Sequence, residues 1–466
     1  MKIGLNLSRP DSLRIFFAQM TEKKNGNQVI PLKKQKTRLM KPKVAFYTFG
    51  CRLNQAETSI MQRSFEQNDY EIVDYRRDPD VVVVNTCTVT ENGDADTRKL
   101  VNKINRNNPY AKIALVGCQA QVQREKLMEM ESVNWVIGNE HKMEFVKILE
   151  NAGLDTPIVD TPPIKRNSFI LPVAGIDPNH TRANLKIQDG CDFFCSFCEI
   201  PYARGRARSR VFSDILKEAR SLVYAGHREL VLTGINIGTY SFKKEKIADV
   251  ISELERIDGL VRLRISSIEP TTIPFSILEK MAEGQKLCRY LHIPIQSGSD
   301  RVLRMMKRKY SIAEFTEFIR AAYQSIPDIC LGTDVIVGFP GETDSDFERT
   351  YQLLFELPFA YFHVFSYSDR QHAKSSRHNE KVPIEKIRMR SKRLRELSCG
   401  KKNSYLQQFL GTTYHVLFEQ ERNGLWSGLT DNYIRVKVKS DLDLRNRLLP
   451  VNLLEIESQT MIGKLV

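Results

Sequence analysis

From about residue 180 onward the chain alternates short apolar strands with helical patterns, and this alternation limits the fold to a parallel α/β architecture. The candidate strands are Asn184–Ile187, Glu229–Leu232, Arg262–Ser266, Tyr290–Pro294, Gly332–Val337 and Tyr361–Ser366. Six such units predict a partial (β/α)6 barrel whose working face lies at the C-terminal ends of its strands. A shorter α/β pattern precedes it. Lys43–Phe49, Val81–Val84 and Lys112–Val116 read as strands, and four consecutive valines suit a strand buried on both faces. Asn54 with Glu57 three residues later looks like a capping box opening a helix through Phe65.

The punctuation between these patterns predicts the domains. Residues 41–152 form an N-terminal parallel α/β domain. Residues 153–176, with Pro157, Pro162, Pro163 and Pro172, read as a linker that Pro178 closes. The barrel core covers 177–402 and ends in a basic helical stretch, Lys386–Arg395. Residues 403–466 differ in style, with short strands at Tyr414–Glu419, Tyr433–Lys439 and Asn452–Ile456, and suggest a small β-barrel.

Residues 1–40 lack periodicity and are rich in Lys, Asn and Gln. They read as a disordered basic arm or as a translation start assigned too early, and a mitochondrial presequence fits less well because Lys outnumbers Arg. The formal net charge of +14 invites a nucleic-acid partner. Roughly +9 of it falls in residues 1–43, however, so local basic strips have to carry that argument. No apolar run approaches the ~18 residues of a membrane span, and the stretch Leu13–Met20 is broken by Arg14 and Gln19. A cytoplasmic protein is expected. Nine cysteines in such a chain point to metal ligation, catalysis or plain burial rather than to disulfides.

The cysteines sort by context. Gly190-Cys191-Asp192-Phe193-Phe194-Cys195-Ser196-Phe197-Cys198 follows the first barrel strand with spacing C-x3-C-x2-C. Three thiolates from one short loop can surround three irons of a [4Fe–4S] cube and leave the fourth iron open for the amino and carboxylate groups of S-adenosylmethionine (SAM). Zinc would normally recruit a fourth Cys or His nearby, and none follows. Cys51, Cys87 and Cys118 each come shortly after a predicted strand, so a parallel sheet would bring them to one edge. Geometry alone leaves ligation and simple burial equally open for these three. Cys288, Cys330 and Cys399 have no comparable setting and read as structural.

Other polar positions fall on the barrel's working edge. Gly234 and Asn236 follow the second strand, Ser267 and Glu269 the third, Gln296 the fourth and Gly338 the fifth. Each suits a ligand contact or a strand-to-helix turn. Arg204, Arg206, Arg208 and Arg210 alternate after the cysteine loop and could face phosphate from one side of an extended segment, or form a solvated loop. Arg304, Lys307, Arg308 and Lys309 make a second basic patch. In the tail, Arg435, Lys437 and Lys439 share one face of a strand and Ile434, Val436 and Val438 the other, a strip suited to an RNA backbone.

The cysteine loop and its flanks Lys186-Ile187-Gln188-Asp189-Gly190 and Ile200-Pro201-Tyr202-Ala203-Arg204-Gly205 resemble the methylthiotransferase branch of the radical SAM superfamily. One departure is Asp192, where the family usually has Asn. Segments around Cys51, Cys87 (with Thr88, Val89 and Thr90) and Cys118 resemble that family's N-terminal domain, and the tail resembles a TRAM domain. Phe49-Gly50-Cys51-Arg52-Leu53-Asn54-Gln55 and the Arg-rich run from Ala203 look closest to the tRNA threonylcarbamoyladenosine (t6A) methylthiotransferases.

The resemblance implies two [4Fe–4S] clusters, one on Cys191, Cys195 and Cys198 with SAM and one on Cys51, Cys87 and Cys118. It also implies SAM contacts among Gly234, Asn236, Ser267, Glu269, Gln296 and Gly338, a tRNA substrate, and separate electron and sulfur donors. The implied product is ms2t6A at the adenosine 3′ of the anticodon. A sister activity on isopentenyladenosine, another on a ribosomal-protein aspartate, and a non-enzymatic Fe–S redox or RNA-binding sensor are the alternatives.

Overall fold

The computed structural model describes residues 41–88, 91–176, 180–284 and 286–466. The expected basic arm of residues 1–40, Val89, Thr90 and Pro178 lie outside the described residues. Among those described, no helix is long and apolar enough to cross a membrane.

The first layer is a six-stranded sheet of β1 (Lys43–Thr48), β2 (Glu71–Val73), β3 (Val81–Thr86), β4 (Lys112–Gly117), β5 (Val133–Ile137) and β6 (Ile158–Asp160). Its order is β2-β1-β3-β4-β5-β6 and every pairing is parallel. All six residues of β3 are buried, as its valine run requires. β6 falls inside the stretch expected to be linker, because it completes the sheet by pairing with β5 at Trp135–Ile137.

The core contains β7 (Arg182–Lys186), β8 (Glu229–Thr233), β9 (Arg262–Ile265), β10 (Tyr290–His292), β11 (Cys330–Val337) and β12 (Tyr361–Ser366). β7, β8 and β9 form one parallel sheet, and β10, β11 and β12 another. The bridge Leu263–Leu287 and the bonds flanking it join the two, so six strands curve as a partial barrel. Leu230, Leu263, Leu291, Leu331 and Val335 pack outward against the helices in one large core. Alternate residues therefore face the barrel interior.

A helix of 24 residues, Ile384–Gln407, follows and runs past the expected boundary at 403. The tail strands begin only at Thr413. β13 (Thr413–Arg422), β14 (Leu425–Leu429), β15 (Arg435–Lys439), β16 (Leu448–Glu457) and β17 (Thr460–Leu465) close into a barrel in the order β13-β14-β15-β17-β16. β15 starts two residues later than the pattern suggested. Tyr433 has φ +64 and leaves the strand to stack on Tyr290 of the core, with ring centroids 4.3 Å apart.

Candidate active site

The loop carrying Cys191, Cys195 and Cys198 is pinned from both sides. Residues Gln188–Asp189 pair antiparallel with Arg208–Ser209, and the Cys191 amide donates to the Gly205 carbonyl at 3.1 Å. Gly190 is required there, because a Cβ would sit 2.0 Å from the Arg206 carbonyl oxygen. Within the loop, the Cys198 amide bonds the Cys195 carbonyl at 3.1 Å and the Phe193 amide reaches the Cys191 sulfur at 3.4 Å. Arg308 donates to the Cys195 sulfur at 3.4 Å and pairs with Glu269. Burial pushes the Cys191 thiol up to about 11 and raises Cys195 and Cys198 as well. Neutral thiols are the cost of this burial, and a bound metal reverses it by taking thiolates.

The second triplet lies along one sheet edge, as expected. β1, β3 and β4 are neighbours, with Thr48 opposite Asn85 and Thr86 opposite Gly117, so the three cysteines leave one edge. Gly50 lies directly against Cys87, where a Cβ would come within 2.9 Å of its sulfur. Cys118 opens the helix Cys118–Val122, and Asn139 donates to its sulfur at 3.7 Å. Asn85 Oδ1, Gln119 Oε1, Asn139 Oδ1 and Arg204 Nε around this edge are buried without a partner among the described residues. The donor set and these unsatisfied groups fit an iron–sulfur cluster at Cys51, Cys87 and Cys118, as the three-thiol loop fits one at Cys191, Cys195 and Cys198.

One cavity of about 190 Å³ touches both regions. Its lining includes Thr88, adjacent to Cys87, together with Cys198, Glu199, Gln296, Asp334 and Arg370. Thr88 bonds Glu199 at 2.9 Å, and Arg370 reaches both Thr88 and Asp94 at 3.0 Å. Asp334 of this lining also belongs to a cluster that sequence reasoning missed. His292 on β10 and His363 on β12 reach Asp334 on β11 at 2.9 and 3.1 Å, and Tyr361 holds the other nitrogen of His292 at 3.3 Å. Its members are scattered along the chain and only the strand register brings them together.

The expected SAM contacts divide. Gln296 lines the cavity beside Cys198. Asn236 is buried with its amide nitrogen unpartnered and its carbonyl oxygen accepting from Thr272 at 3.0 Å. Ser267 is half-buried, and Glu269 is tied to Arg308. Two glycines answer to the protein itself. The space beside Gly234 is taken by Ile237 and Gln188, and that beside Gly338 by Ile387.

The expected strip of arginines does not form. Arg204 is the last residue of the helix Ile200–Arg204 and Gly205 turns the chain, so no extended segment runs from 204 to 210. Arg204 and Arg210 are 0% and 1% exposed, Arg204 bonded to Glu57 and Asp189 and Arg210 to Asp214 and Glu218. Arg208 is nearly buried against Glu140 and Asp189. Only Arg206 of the four is open, over Phe194 at 4.6 Å and paired with Asp192 at 3.3 Å. Asp192 also meets Arg166 at 3.2 Å, so the departure from Asn adds surface ion pairs. Arg304, Lys307 and Lys309 are exposed. On β15, Arg435, Lys437 and Lys439 lie outward of buried Val436 and Val438, with Arg435 at 3.5 Å from Glu419.

The expected capping box is also absent. Cys51 caps the helix Arg52–Gln67, and Asn54 and Glu57 are buried inside its first turns. Asn54 bonds the Phe49 and Thr86 carbonyls at 2.8 and 3.0 Å, while Glu57 accepts from Lys142, Lys186 and Arg204. Both side chains are used by the junction of the two α/β units rather than by the helix end.

A parallel barrel with a three-cysteine loop after its first strand defines the class: this is a radical SAM enzyme, using SAM and an iron–sulfur cluster. The Radical SAM superfamily model matches residues 185–354, and the uncharacterized protein family UPF0004 matches 43–138. The chain belongs to the radical SAM methylthiotransferases of the MtaB type. It is 36% identical to the threonylcarbamoyladenosine tRNA methylthiotransferase MtaB of Bacillus subtilis over 88% of this chain and 94% of that protein. It is 36% identical to MtaB of Aquifex aeolicus over 85% and 96%. It is also 32% identical to the tRNA-2-methylthio-N(6)-dimethylallyladenosine synthase of Dehalococcoides mccartyi strain 195 over 91% and 99%. Among solved structures, the radical S-adenosylmethionine methyltransferase TsrM from Kitasatospora setae matches with TM-score 0.55 at 15% identity, covering 72% of this chain and 75% of that one, a likeness of fold alone.

Proposed function

We propose that this chain converts t6A in tRNA to ms2t6A at the adenosine 3′ of the anticodon, and does so in the cytoplasm. The observation that carries the reading is the cavity lined by Thr88, beside Cys87, and by Cys198. The names of the MtaB relatives support t6A as the substrate. When bound, the cluster on Cys191, Cys195 and Cys198 supplies the electron that cleaves SAM to a 5′-deoxyadenosyl radical, and that on Cys51, Cys87 and Cys118 supplies an iron site for sulfur.

The protein's own groups prepare the site. Arg308 places a positive charge against the Cys195 sulfur and holds Glu269 beside it. Burial raises the Glu269 carboxyl even though Arg308 opposes the rise. Asn236 offers an unused amide donor and Gln296 a polar side chain on the cavity wall, both suited to the polar groups of SAM. Arg370 clamps Thr88 and Asp94 of the first unit to the core, so the two cysteine edges keep one spacing. The target adenosine lies in a loop and is presented largely unpaired, so inserting it into the cavity costs little. Arg206, Arg435, Lys437 and Lys439 would meet the RNA backbone, with the TRAM-like tail as a second grip. Electrons and sulfur come from donors outside the chain.

The test is mass spectrometry of tRNA nucleosides from a strain lacking the gene. Loss of ms2t6A with t6A accumulating is expected. Loss of the methylthio derivative of isopentenyladenosine instead would move the chain to the sister activity.

A further inference from the structure

The ion network at the junction does not balance. Among the described residues it holds three buried cations, Lys142, Lys186 and Arg204, against two buried carboxylates, Glu57 and Asp189. At its edge Arg208 and Glu140 pair at 3.2 Å and cancel. All five central groups are at most 5% exposed. A buried charge without a counter-charge is strongly unfavourable, so one positive charge needs a partner.

Its location is specific. Arg204 donates to Asn54, three residues beyond Cys51, at 2.5 Å, and its Nε is buried with no partner among the described residues. Asn139 joins the Ala203 carbonyl, at 2.7 Å, to the Cys118 sulfur, at 3.7 Å. The Lys142 ammonium donates to Glu57 and to no other acceptor among the described residues. The under-partnered cations therefore lie behind the edge that carries Cys51 and Cys118.

We propose that Lys142 and Arg204 are positioning residues that supply the counter-charge for an anionic iron–sulfur group on Cys51, Cys87 and Cys118. A [4Fe–4S] cube with two positive charges held by three thiolates is a monoanion, and an anionic sulfur ligand on its open iron makes it more negative. One surplus cation matches that charge. In a dry site the attraction between them is barely screened, so it favours both cluster retention and the more reduced, more negative state. The inference rests on the two-cluster reading and extends it to residues that touch no iron.

The test uses full-length Cys191→Ala/Cys195→Ala/Cys198→Ala protein, reconstituted without oxygen, so that only the second triplet carries iron. About four irons per chain are expected. Adding Lys142→Met should remove at least half of that iron or move the midpoint of the remaining cluster to lower potential. Lys142→Arg should restore both. After the iron is stripped, Lys142→Met should melt no lower than its parent, since it removes a surplus charge. Unchanged iron content and midpoint in Lys142→Met would overturn the proposal, as would a fall in the melting temperature of the stripped protein, which marks a plain structural ion pair. A parent that binds no iron would instead overturn the two-cluster reading, and the counter-charge with it.

Discussion

Glu57 concentrates the junction on one carboxylate. Burial alone would raise its pKa, but Arg204, Lys142 and Lys186 outweigh burial and hold the carboxyl well below the usual range. A depressed folded pKa means that its contribution is complete above the unfolded value, near 4, and is lost as pH falls toward the folded one. Glu57→Gln should cost about 3–5 kcal/mol, because it leaves buried cations unpaired. Urea unfolding at neutral pH checks this, and the difference between variant and parent should shrink as the pH is lowered below about 4. Neither Glu57 nor Arg204 was legible in its true role. Asn54 and Glu57 have the spacing of a capping box, and local spacing carries no information about a cation arriving from a loop 147 residues away. The placing of the cysteines was legible because one triplet sits within a single short loop and the other follows three neighbouring strand ends.

At the scale of elements, most strands buried on both faces were readable, although β5, buried at Trp135, Val136 and Ile137, was not among those expected. The valine run of β3 and the apolar cores of β8 and β11 match their expected positions closely. Errors cluster where an element answers to a neighbour. β6 hides in a proline-rich stretch because an edge strand of three residues has no pattern to show. β15 begins late because Tyr433 turns aside, where it stacks on Tyr290 and accepts from Arg52 at 3.0 Å. Arg264 lies over both rings at 5.5 and 5.3 Å. Tyr433→Ala should therefore destabilise the protein by roughly 2 kcal/mol, through lost packing and stacking, and lower its melting temperature. Lys439→Ala on the same strand, exposed at its end, should change stability by less than about 0.5 kcal/mol. Comparable melting of the two variants would mean that Tyr433 does not brace the tail barrel against the core.

At the scale of the molecule, two α/β units line one cavity and a small barrel follows them in the chain, and the charge follows the same division. The buried arginines hold the units together, while Arg435, Lys437 and Lys439 remain outward on the tail. Replacing these three with Ala should weaken tRNA binding for all sequences alike. It should also lower the slope of log affinity against log salt by roughly 2, at ~0.7 per phosphate contact on single-stranded RNA. Filter binding at several salt concentrations measures it, and an unchanged slope would remove the tail strip from the RNA path. The central claim is that the two cysteine triplets divide the labour across one cavity. Reconstituted Cys87→Ala protein, reduced and given SAM and t6A-containing tRNA, tests it most directly. The expected result is 5′-deoxyadenosine without ms2t6A, whereas Cys195→Ala yields neither; loss of SAM cleavage in both variants alike, or ms2t6A from Cys87→Ala, would contradict the claim.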